Sequence, residues 1–145
     1  MYYGYYEHNL DDKGRLMIPS KLREGLASGS PLFVIKGFEG CLSVYNEQSF
    51  NELCSRLETL AFEDKNARSY IRNILPSVIR LNIDKLGRIQ IPLLALAKYH
   101  IEKQVAVIGA GNHFEIWDLK TYQKYDEENS KLFEDTADKL VNGNE

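Results

Sequence analysis

Two short stretches hold the only chemistry that this sequence states twice. Asn9 to Pro19 reads NLDDKGRLMIP and Asn82 to Pro92 reads NIDKLGRIQIP, so an Asp-x-x-Gly-Arg unit recurs seventy-three positions apart. Asp11 and Asp84 suit the capping of a tight turn through backbone N–H groups, and Gly14 and Gly87 suit its positive-φ position. Two roles are open to Arg15 and Arg88. A guanidinium just past a turn can pair with a nearby carboxylate, or it can project at guanine O6 and N7 or at a phosphate of nucleic acid. Lys13 and Lys85 flank the same turns and suit phosphate rather than base contact.

Catalytic constellations are missing from the pattern. His8, His100 and His113 share no close spacing with Cys41 or Cys54, and the sequence has no G-x-S-x-G, Walker loop or H-E-x-x-H. Gly109-Ala110-Gly111 begins like a dinucleotide fingerprint but lacks the third glycine and lies between two strand patterns, which makes it a hairpin turn that Asn112 can support. His113 has no second metal ligand beside it. Tyr45 and Trp117 stand at equivalent strand ends and read as core. The expectation is a protein with no catalytic residues, no cofactor and no metal.

The elements that position the turns follow from the repeat. Asn9/Asn82, Asp11/Asp84, Gly14/Gly87, Arg15/Arg88, Ile18/Ile91 and Pro19/Pro92 are identical pairs. With one residue deleted from the second copy, Phe33-Val34-Ile35 faces Val105-Ala106-Val107, Gly37 faces Gly109, and Val44-Tyr45-Asn46 faces Ile116-Trp117-Asp118. Each copy reads as ββαββ. In the first, a strand over Tyr5 to Leu10 turns at Asp11 to Gly14 and returns over Arg15 to Ile18. Pro19 opens a short helix with Leu22 and Leu26 inward, stopping near Gly25 to Gly29. Strands over Pro31 to Lys36 and Cys41 to Tyr45 then flank the Gly37 to Gly40 turn.

Helical patterns lie between and after the copies. Asn46 can cap a helix with Phe50, Leu53, Leu57 and Leu60 on one face. Asp64 can cap another with Ala67, Ile71 and Ile74 inward, ended by Pro76. Tyr122, Tyr125 and Phe133 mark a third face, and Val141 to Glu145 is expected to fray. The divisions are residues 5–47, 48–76, 77–120 and 121–145. A four-stranded unit of this size cannot close a core alone. The expected fold is therefore α+β with a mainly β core, the two copies forming an intrachain pseudo-dimeric, barrel-like core with peripheral helices.

At 145 residues the chain fits one domain or two small halves sharing a core. No apolar run reaches the roughly 20 residues of a membrane helix, and the N-terminus lacks the pattern of a signal peptide, so the expected compartment is the cytoplasm. The two cysteines, Cys41 and Cys54, read as reduced, packed thiols. Formal charge is −3, but residues 118–145 carry −4 of it and the first 117 carry +1. Nucleic-acid binding would need a focused basic patch, or several copies of one brought together.

These motifs also carry a likeness. YEHNLDDKGRLMIPSKLRE, GFEGCLSVY, DKLGRIQIP and VAVIGAGNHFEIWD together resemble the MraZ family of bacterial regulators, encoded at the head of the division and cell wall gene cluster. The likeness spans about Gly4 to Tyr122. It implies a double AbrB-like (SpoVT-AbrB) fold, a ring-shaped homo-oligomer, and a nucleoid-associated transcription factor, mainly a repressor, that binds closely spaced G-rich direct repeats of double-stranded DNA in its own promoter region. By this resemblance Arg15 and Arg88 fall on the DNA-contacting arginines and Asp11 and Asp84 on the family's aspartates. Ile74 to Arg80 departs from the small-residue-rich segment usual there. An AbrB-like protein-interaction module of antitoxin type is the second reading.

Overall fold

The computed structural model describes residues 1–143. Its strands are β1 (Tyr5–Asn9), β2 (Arg15–Met17), β3 (Pro31–Lys36), β4 (Leu42–Asn46), β5 (Ile79–Asn82), β6 (Arg88–Gln90), β7 (Gln104–Gly109) and β8 (Phe114–Asp118). Five α-helices accompany them: α1 (Glu47–Glu58), α2 (Lys65–Ile74), α3 (Leu93–Lys98), α4 (Leu119–Ser130) and α5 (Phe133–Val141).

Strand alternation sends neighbouring residues to opposite faces, and in β3, β4, β7 and β8 both faces are covered. Leu32, Val34, Val44, Val105, Val107, Phe114 and Ile116 form one core with Leu16, Ile18, Ile89 and Ile91. The opposite face carries Ile35 and Tyr45 beneath Leu53, Leu57 and Ile74, and Ala106 and Trp117 beneath Tyr122 and Tyr125. The helices α1, α2 and α4 thus lie on one side of the sheet and β2 and β6 on the other.

Pairing differs from the expected hairpins. β1 does not pair with β2; it pairs antiparallel with β7, and β5 pairs antiparallel with β3, so each copy lends its first strand to the other. β4 and β8 join the two halves, giving one antiparallel sheet in the order β1-β7-β8-β4-β3-β5. The barrel expectation is overturned here. β1 and β5 are the two edges of an open sheet, and the strands that could have bridged them, β2 and β6, pair with each other as a separate two-stranded ribbon. The ribbon lies across the sheet because Leu16 and Ile89 are buried beneath it, each contributing about 1.5–3 kcal/mol.

The ladders also correct the alignment of the copies. Leu32 pairs with Asn46 as Val105 pairs with Asp118, so Phe33-Val34-Ile35 corresponds to Ala106-Val107-Ile108. The deleted residue lies in the turn between β7 and β8.

Asn46 Oδ1 accepts from Ser49 N (2.8 Å), and Asp64 Oδ1 from Asn66 N (2.7 Å) and Ala67 N (3.0 Å). Helix α1 stops at Glu58, which leaves Leu60 beyond it and at the surface rather than on the helix's inner face. In the first copy the helix after Pro19 is a single 3-10 turn, Ser20–Leu22, with Leu22 buried and Leu26 half-buried. Tyr122 and Tyr125 pack on Trp117, at 5.3 and 5.0 Å between ring centroids. Phe133 is exposed instead, because α4 ends at Ser130 and α5 starts anew. Val141 closes α5, and residues 144–145 of the segment expected to fray lie outside the described residues. No helix among the described residues is long and apolar enough to cross a membrane.

Candidate nucleic-acid interface

The two Asp-x-x-Gly-Arg turns have nearly the same geometry. Asp11 Oδ1 accepts from the backbone N–H of Lys13 and of Arg15, both at 2.9 Å, and Asp84 Oδ1 from Leu86 (2.9 Å) and Arg88 (2.8 Å). Gly14 N donates to Asp11 O and Gly87 N to Asp84 O, both at 3.0 Å. Closing the turn this tightly places the glycines at φ +82 and +85, where a side chain is strained. The Arg15 backbone N–H, with help from its guanidinium and Lys13, holds the Asp11 carboxyl below its ordinary range. Arg88 and Leu86 do the same for Asp84.

Each turn is also fixed by the other copy. Ile91 N donates to Gly14 O (2.9 Å) and Ile18 N to Gly87 O (3.0 Å). The strand leaving one turn therefore holds the other, and the two turns are tied together.

Of the two roles foreseen for the arginines, the structure shows the ion pair in both turns. Arg15 Nε donates to Asp11 Oδ2 at 2.5 Å and Arg88 Nε to Asp84 Oδ2 at 2.9 Å, with both pairs partly exposed. Bonding through Nε orients each guanidinium while leaving its Nη donors for a second acceptor.

The ribbon gathers the two arginines. Its register pairs Arg15 with Gln90, Leu16 with Ile89 and Met17 with Arg88. Leu16 and Ile89 face the core, so Arg15, Met17, Arg88 and Gln90 share the outer face, the arginines on a diagonal of about 7–8 Å. Lys13 and Lys85 stand exposed in the turns. They are not equivalent, because the repeat matches Lys13 with Leu86 and Lys85 with Asp12.

Sequence reasoning missed Met17, Gln90 and Arg23. The first two sit two residues beyond each arginine, so the two-residue strand period carries the signal for them. Arg23 Nε donates to Ile18 O at 2.8 Å, and its guanidinium lies against Gly87; no local spacing announces that contact.

His113 belongs to a different cluster, stacked on Tyr45 at 4.8 Å, with Nδ1 2.7 Å from Asn112 Oδ1. Burial pushes the neighbouring Glu115 carboxyl up, but hydrogen bonds from His113 and from Trp117 Nε1 (2.9 Å) outweigh it and leave it below its ordinary value. Among the described residues no group of three or more His, Cys, Asp or Glu could hold a metal ion.

A family model described as "MraZ protein, putative antitoxin-like" matches residues 1–73 and 79–143. The chain belongs to the MraZ family. It is similar to proteins named "Transcriptional regulator MraZ": 41% identical over 143 residues to that of Mesoplasma florum, covering 99% of this chain and 97% of the other. The corresponding proteins of Acetivibrio thermocellus and Heliobacterium modesticaldum are 36% and 37% identical over 141 residues, each covering 97% of both chains. Residues 74–78, between the two matched spans, fall where α2 gives way to the 3-10 turn Leu75–Ser77 that carries Pro76. It lies on the helical side of the sheet, away from the ribbon.

Proposed function

We propose that this chain is a sequence-specific DNA-binding transcriptional regulator that presents the β2–β6 ribbon to the major groove. The observation that carries the reading is the outer face of that ribbon, with Arg15 and Arg88 on its diagonal and each held by its own aspartate. A two-stranded ribbon fits the major groove, and arginine is the usual partner of guanine O6 and N7. Lys13 and Lys85 would meet the flanking phosphates. The acidic α4 packs through Tyr122 and Tyr125 on the side of the sheet opposite the ribbon, which relieves the conflict between a net charge of −3 and a polyanionic ligand.

The proposal extends to assembly and site. Ring-shaped homo-oligomers are built from head-to-tail contacts and repeat one surface by rotation. Such an array suits G-rich direct repeats about 10 bp apart, where successive copies meet the same groove face. Several weak contacts then act together through effective concentration. At its own promoter, within the nucleoid of the cytoplasm, a ring so placed would act mainly as a repressor of the division and cell wall cluster.

The test is a titration of the purified chain against its own upstream DNA, with salt varied and unrelated duplex as competitor. Binding should survive competitor and fall when the G-rich repeats are scrambled. Arg15→Ala and Arg88→Ala should each weaken specific binding by about 10- to 100-fold with the oligomer intact. Lys13→Ala or Lys85→Ala should weaken all duplexes alike and reduce the salt slope by about one. Full specific binding by Arg15→Ala would sink the proposal. Equal, weak binding to every duplex, together with a stoichiometric protein partner, would leave the antitoxin-type module that the family description names.

A further inference from the structure

The duplication relates Arg15 to Arg88 and also Met17 to Gln90. In the ribbon these residues form two cross-strand pairs, Arg15 with Gln90 and Met17 with Arg88, on either side of the central Leu16–Ile89 pair. Two identical chains forming this ribbon would present the same pair at both ends. Here the arginines obey the internal two-fold and their partners break it, with an amide at one end and a thioether at the other.

We propose that Gln90 and Met17 are specificity-determining residues, through which one chain reads an asymmetric duplex site: an adenine beside the guanine at the Arg15 end, and a thymine methyl beside the guanine at the Arg88 end. This rests on the DNA-binding reading above. Gln90 Nε2 donates one hydrogen to the Lys13 carbonyl at 3.2 Å, which sets the orientation of the amide. Its second hydrogen and Oε1 remain, the donor and acceptor that adenine N7 and N6 require. Met17 is 39% exposed and has no polar hydrogen to donate; its flexible, polarisable chain suits the one apolar group in the major groove, the thymine C5 methyl.

The turns reinforce the asymmetry. Asp12 stands where the second copy has Lys85, and Lys13 where it has Leu86. The first turn therefore has two acidic and two basic residues, Arg15 included, and the second one acidic and two basic. The second turn has the stronger pull on a phosphate, so the two ends of the ribbon are unequal in charge as well as in base chemistry.

The experiment measures affinity for a panel of duplexes in which each base pair of the bound site is changed in turn, using the unaltered chain and its Gln90→Ala, Gln90→Met and Met17→Gln variants. Both positions are at the surface, and unfolding midpoints verify that the variants fold. For Gln90→Ala, discrimination should drop roughly tenfold or more at one base pair, leaving the others and the salt slope unchanged. Met17→Gln, which equalises the two ends, should raise affinity for an inverted repeat of the Arg15-side half relative to the original site. A uniform loss across the panel, or an unchanged profile in both Gln90 variants, overturns the assignment while leaving DNA binding in place. An unaltered chain that shows no preference among the duplexes overturns the DNA-binding reading and this inference with it.

Discussion

Replacing Gly14 with alanine puts a methyl group against the backbone of the other copy. An added Cβ would lie 2.3 Å from Ile91 O, next to the amide that donates to Gly14 O, and the residue sits at φ +82. The left-handed backbone costs a side chain about 1–2 kcal/mol, offset by roughly 0.4–1 kcal/mol from the stiffer unfolded chain. Moving the Ile91 peptide adds about 1–2 kcal/mol through its hydrogen bond and packing, for a net cost near 2–3 kcal/mol. Gly25 supplies the control, since it has φ +79 and nothing within 4 Å of an added Cβ; its alanine variant should cost about 1 kcal/mol. Gly87→Ala should fall between them, because the Cβ meets the movable Arg23 guanidinium, at the expense of the Arg23–Ile18 hydrogen bond. In urea unfolding, with a slope of about 2 kcal/mol per M, the Gly14 midpoint should drop by 1 M or more and the Gly25 midpoint by about 0.5 M. Equal midpoints for these two variants would refute the claim that each turn is locked by the opposite copy.

Two further outcomes follow from the same geometry. Asp11 and Asp84 are held below the ordinary aspartate value. Their stabilising contribution is therefore complete above about pH 4, the unfolded-state value, and is lost as pH falls through the folded-state value. The melting temperature should drop below pH 4, and an Asp11→Asn, Asp84→Asn double variant should show a shallower fall there; identical profiles would discount the turns. Burial, with the Glu115 and Glu39 carboxylates adding to it, pushes the Cys41 thiol up to about 12. A thiol reagent at pH 8 should label Cys54 in the folded chain and Cys41 only in denaturant, as read by intact-mass spectrometry.

Much of this was legible in the sequence, and the illegible part has a physical cause. The turns could be read because Asp, Gly and Arg each have a local task, and all of it is performed within five residues. The caps at Asn46 and Asp64 were legible for the same reason. Strand partners were not. Alternation says that Tyr5 to Asn9 is extended but is silent on whether it pairs with β2, about nine residues away in the chain from centre to centre, or with β7, about a hundred residues away. For that reason the open sheet and the separate ribbon came only from the structure. The alignment slipped by one residue between Phe33 and Ile35 because Val, Ile and Ala are interchangeable by type, and only ladder register fixes which face each takes. Gln90 went unseen because its importance comes from Arg15 across the ribbon, a neighbour supplied by the other copy.

The exchange of first strands sets an order of events during synthesis. β1 leaves the ribosome early, yet its partner β7 is made some hundred residues later, roughly 5–20 s at bacterial elongation rates of 5–20 residues per second. During that interval β3, β4 and α1 have local neighbours with which to begin folding, while Arg15 waits on an unpaired strand. The ribbon cannot form before Arg88 to Gln90 emerge, and it cannot be clamped until the second half closes over the first. A chain terminated midway has one arginine turn and no ribbon. The face that carries Arg15 and Arg88 therefore exists only once both halves have been made, so synthesis of the second half is a condition for forming it.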